Sequence, residues 1–112
     1  MKPETDESDA VRITQQFRSG QAMVYDLRGA TGRLTLRVTG HGGADDAPPT
    51  EWRIEAATSN APDAVVVAAN APTRADALQA VGDAWSQKRV ACNLPLFDWE
   101  SVARAMRAVR AI

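Results

Sequence analysis

The chain has 112 residues, 45% of them hydrophobic and 24% charged, with a formal net charge of −1. This size suits one domain with one core, and the balance of apolar and charged residues excludes a disordered chain. No apolar run approaches the roughly 18 residues that a membrane-spanning helix needs.

Charge is unevenly spread. Glu4, Asp6, Glu7 and Asp9 crowd the first nine residues against Lys2, leaving twelve basic and ten acidic residues, a net of +2, for the rest. That is too little for the strong electrostatic pull of a markedly basic nucleic-acid binder. Residues 1–9 read as a disordered acidic tail and residues 10–112 as a single domain. The acidic, polar start is the reverse of a secretory signal. A lone cysteine, Cys92, fits a reducing compartment. A cytoplasmic location is therefore expected, with Cys92 a buried or half-buried apolar filler.

Val11–Arg18 allows two readings: a strand with Val11, Ile13 and Phe17 on one face, or a short helix grouping Ile13 and Phe17. The strand is preferred, because Ser19-Gly20 then turns the chain. Met23, Tyr25 and Leu27 next alternate with Val24, Asp26 and Arg28, and Gly29–Gly32 makes a turn. Across it Leu34, Leu36 and Val38 point inward while Arg33, Thr35, Arg37 and Thr39 point outward. Gly40–Pro49, with three glycines and a Pro-Pro pair, reads as a loop. A strand follows at Glu51–Ala57 with Trp52, Ile54 and Ala56 inward, then another at Ala64–Asn70, apolar on both faces and fitting a central or covered position.

Two helices complete the chain. Thr73, three residues before Asp76, approximates a capping box. Leu78, Val81 and Trp85, with Ala77 and Ala84, form a buried stripe. Gly82 within it costs about 1 kcal/mol of helix propensity. A close approach to the sheet would account for it. Lys88 and Arg89 stand at the helix's C-terminal end. The apolar connector Val90–Phe97 is expected to lie against the body. Asp98 caps a final helix, Trp99–Ile112, with Trp99, Val102, Met106, Val109 and Ile112 on one arc and Arg104, Arg107 and Arg110 opposite. The sum is an α+β fold: an antiparallel meander sheet of three to five strands with both C-terminal helices packed on one face.

Chemistry is sparse. His41 lies among Gly40, Gly42 and Gly43, but the G-x-S-x-G elbow that would accompany a His-Gly-Gly oxyanion loop is missing, as is a P-loop. One histidine and one cysteine exclude an ordinary structural zinc site, and Asp45-Asp46 lacks the alternating acids of a calcium loop. Glu51 and Glu55 share a face with Arg53, an arrangement suited to an ion-pair ladder with Arg33 and Arg37 on the neighbouring strand.

The run from Glu51 to Lys88 resembles, in topology alone, the hairpin-then-helix order of double-stranded RNA-binding, Whirly and PUR modules. Arg74 and Asp76 stand where a double-stranded RNA binder carries its lysines. All three tryptophans fall on inward faces, unlike the outward aromatics of a base-stacking sheet.

The sequence therefore points to a non-enzymatic protein-interaction or regulatory domain, with a protein partner or self-association and no cofactor. The alternative is a nucleic-acid-binding module. The candidate interaction surface is Arg33, Arg37 and Arg53 on the sheet, with Arg104, Arg107 and Arg110 on the last helix.

Overall fold

The alternating segments pair in chain order. In the computed structural model, which describes residues 11–29, 32–43, 47–58, 61 and 64–108, five strands form one antiparallel sheet in the order β1-β2-β3-β4-β5. They are β1 (Arg12–Ser19), β2 (Ala22–Arg28), β3 (Arg33–His41), β4 (Glu51–Thr58) and β5 (Val67–Ala71). Two helices follow, α1 (Arg74–Cys92) and α2 (Trp99–Ala108). α1 packs over β4 and β5, and α2 reaches β1. The acidic tail of residues 1–9, Asp45, Asp46, Val109, Arg110 and Ile112 lie outside the described residues.

One face of the sheet supplies the core. Tyr25, Leu27, Leu34, Leu36, Val38, Ile54, Ala56 and Val67 are buried against Leu78, Val81 and Trp85 of α1 and Val102 and Met106 of α2. The inward sets expected for β2, β3 and β4 are the ones that face the helices. Val24, on the opposite face, is also buried, lying in register between Phe17 and Arg37.

The first segment is a strand, but not with the facing its pattern implied. A bulge between Ile13 and Gln15 inserts an extra residue against β2, and the Thr14 hydroxyl donates to the Asp26 carbonyl at 3.1 Å. A one-residue slip reverses every later side chain. Gln16 therefore opposes Tyr25 on the helix side, while Phe17 opposes Val24 on the outer side and is 44% exposed.

β3 runs two residues into the expected glycine loop, with Gly40 opposite Trp52 and His41 opposite Glu51. A Cβ on Gly40 would come within 2.6 Å of Pro49, so its absence lets the returning chain fold back there. β5 starts three residues late, because Ala64 is still tied to Ala61 in a turn. It is an edge strand rather than a central one, since the chain leaves it for α1 and no further strand follows among the described residues. Ala68 is consequently exposed.

α1 begins as its cap dictates: Thr73 Oγ1 accepts from the Asp76 amide at 3.1 Å. It ends three residues beyond Arg89, since Asn93 tolerates the left-handed conformation (φ 54°) that stops a helix. The Leu94 amide bonds back to the Arg89 carbonyl and that of Asn93 to Val90, the paired closure of a Schellman turn. Val90 and Cys92 are thereby exposed helix surface rather than a packed connector, and Cys92 is not the buried filler expected. Of the remaining connector, Phe97 is buried and Leu94 half-buried, but Leu96 faces solvent.

Asp98 opens α2, accepting from the Glu100 amide at 3.1 Å and the Ser101 hydroxyl at 3.0 Å. Phe97, Trp85 and Trp99 then meet edge-to-face, with ring centroids 5.8 to 6.3 Å apart. Gly82 serves this contact: a Cβ there would stand 2.9 Å from Trp99 Cγ. The close approach is to α2, not to the sheet.

Candidate functional site

Three surfaces come out of this fold: the outer face of the sheet, its β5 edge, and a groove between the helices.

On the outer face the antiparallel register decides which charges meet. Arg37 lies directly opposite Glu55, with Nε 3.8 Å from Oε1, and Arg53 Nε donates to Glu55 Oε2 at 3.1 Å. Arg53 also donates to Asn70 Oδ1 at 2.9 Å, and Asn70 Nδ2 to Glu51 Oε2 at 3.2 Å. The ladder expected from the sequence thus forms around Glu55 with Arg37 and Arg53. Such half-exposed pairs contribute little each, about 0–1 kcal/mol. Arg33 does not join it. Leu34 already pairs with Thr58, so Arg33 lies beyond Glu55's reach and beside Arg28, which in turn faces Arg12. Three exposed arginines therefore form a row across β1, β2 and β3, about 10 Å wide at normal strand spacing. Arg12 was missed in the sequence because its membership of a strand was ambiguous.

The two sheet edges differ in chemistry. β1 carries Arg12 and Arg18 and a bulge, which are devices that discourage pairing with another chain. β5 reads VAANA, uncharged throughout, and no charged residue occurs from Ala64 to Thr73. Val65 just before it is 47% exposed. At its start Lys88 Nζ donates to the Val66 carbonyl at 3.0 Å.

The groove lies between α1 and α2, with a volume of about 600 Å³. Ile54 forms its floor, and Leu78, Trp99 and Met106 are among its apolar walls. Asp83 and Glu100 line it beside the Gly82–Trp99 contact. Arg74 and Arg107 line it eight residues from that contact on their own helices, about 12 Å along each axis. Arg74 also stacks over Trp52, its Cζ 5.8 Å from the ring centroid, and walls a smaller pocket of about 200 Å³ with Arg18 and Tyr25. The Trp99 indole N–H is shielded from solvent and has no acceptor among the described residues.

Of the arginines singled out on the last helix, Arg104 is exposed, Arg107 borders the groove, and Arg110 lies outside the described residues. His41 stands exposed at the end of β3 and Cys92 exposed at the end of α1, on separate elements and away from the groove lining. Among the described residues no group of three His, Cys, Asp or Glu side chains could hold a metal ion, and no helix is long and apolar enough to cross a membrane. The groove was missed in the sequence because its walls come from segments far apart in the chain. Its one local signal was Gly82. No family model, curated protein or solved structure matches the chain.

Proposed function

We propose that the chain is a non-enzymatic interaction domain of the cytoplasm that pairs with a second copy of itself through the edge of β5. One observation carries this reading: β5 is an uncharged edge strand, whereas β1 at the opposite edge is bulged and bears two arginines. Free backbone N–H and C=O groups on an edge are best satisfied by another strand. A strand of alanine, valine and asparagine can meet its own symmetry mate antiparallel without opposing like charges. Sedimentation equilibrium is the test. The native chain should be dimeric at micromolar concentration, and Val65→Lys with Ala68→Lys should be a folded monomer. A native chain that stays monomeric at high concentration, or a charged variant that still dimerises, rejects the reading.

A second reading rests on the outer face. The row of Arg12, Arg28 and Arg33, with exposed Phe17 on the same face, is a cationic strip beside an aromatic ring, which suits a single-stranded nucleic acid. Its mark would be oligonucleotide binding that weakens steeply with salt and is lost in Arg28→Gln with Arg33→Gln. Absence of binding at low salt removes it.

A further inference from the structure

Arg74 breaks a local rule. It is the first residue of α1, at the positive end of the helix dipole, where an acid is preferred and a cation is disfavoured. Asp76 is only two residues on and so projects from a different side of the helix. Among the described residues the ion pairs are those of Glu55 with Arg37 and Arg53, so no carboxylate there neutralises Arg74. Arg74 is half-buried, and its guanidinium lies over the Trp52 ring. Behind it opens the groove floored by Ile54 and walled by Leu78 and Met106, with Arg107 as its second cation. A volume of about 600 Å³ lies within the usual range for small-molecule sites.

We propose that this groove binds an elongated apolar small molecule with an anionic head, of the free alkyl carboxylate class. The head sits against Arg74, within the field of Arg107 and of the α1 N-terminus, and the tail lies along the half-buried Trp99 and Ala103, over the buried Leu78 and Met106. Asp83 and Glu100, beside the Gly82–Trp99 contact, oppose the reverse orientation. The site is separate from the β5 edge and does not depend on dimer formation.

Dodecanoate and dodecyltrimethylammonium, each below its micelle concentration, and dodecanol below its solubility limit form a matched set of probes. Binding to the full chain is followed by calorimetry and by the emission of Trp52 and Trp99, which border Arg74 and the groove. Dodecanoate should bind saturably, with the ammonium analogue at least about tenfold weaker. Arg74→Gln should weaken dodecanoate by about tenfold and Arg107→Gln by less. Arg104→Gln, on the same helix but outside the groove, should leave it unchanged. Circular dichroism on each variant confirms folding. Failure of dodecanoate to bind, equal binding of all three probes, or an Arg74→Gln variant with native affinity overturns the proposal. Flotation with phosphatidylglycerol vesicles in preference to free dodecanoate would also overturn it, placing the arginines on a lipid surface instead.

Discussion

Replacing Gly82 by alanine sets two effects of known size against each other. In the middle of an exposed helix the change would stabilise by about 1 kcal/mol, through propensity alone. Here the new Cβ would stand 2.9 Å from Trp99 Cγ, 3.0 Å from Cδ2 and 3.2 Å from Trp99 Cβ. These are root atoms of a side chain clamped between Trp85 and Phe97, so they cannot swing aside without moving α2. Overpacking of this kind costs about 1–3 kcal/mol. The expected net effect is a loss of about 1 kcal/mol. Removing most of the obstacle should relieve the loss: in a Trp99→Ala background, which keeps only the Cβ at 3.2 Å, Gly82→Ala should range from neutral to stabilising by about 1 kcal/mol, a coupling of about 1–2 kcal/mol across the cycle. Urea unfolding followed by far-ultraviolet circular dichroism measures all four proteins without relying on the indole that is removed. If Gly82→Ala stabilises equally with and without Trp99, the two helices do not meet there and the account of Gly82 is wrong.

Further outcomes follow from single contacts. Trp85 is fully buried and its Nε1 donates to the Pro95 carbonyl at 2.9 Å, so Trp85→Phe should cost about 2 kcal/mol or more. Trp99→Phe removes an indole N–H that has no acceptor among the described residues, so it should cost under about 1 kcal/mol. Thermal melts of the two variants should rank them in that order. Asn93→Ala places an ordinary side chain in the left-handed conformation and should lose about 1 kcal/mol in urea melts, whereas Asn93→Gly should not. Cys92 is exposed, so Ellman's reagent should titrate one thiol in the native chain, without denaturant. A thiol that reacts only on unfolding would contradict the exposure of Cys92 at the end of α1.

The sheet was legible in the sequence where alternation was clean. Met23-Tyr25-Leu27, Leu34-Leu36-Val38 and Trp52-Ile54-Ala56 face the helices because a strand's side chains must alternate and this face carries the larger apolar side chains, the other holding the arginines. The caps Thr73 and Asp98 were equally legible, since each acts on amides within a few residues of itself. Beyond that range the sequence was silent. The bulge at Thr14 reversed Phe17 because register is settled against β2, not within β1. The helix expected to stop near Arg89 ran on to Cys92, because an asparagine rather than a glycine closes it.

Composition and periodicity by themselves determined the fold class, the inward residues of three strands, and both helix starts, all of which rest on interactions between near neighbours. Only the tertiary structure decided the rest. It gave Gly82 to Trp99, separated Arg33 from Glu55, left β5 at an edge, and set Arg74 and Arg107 along one groove. Those outcomes depend on register and helix placement, which are fixed by packing between segments tens of residues apart and leave no periodic trace in either segment alone.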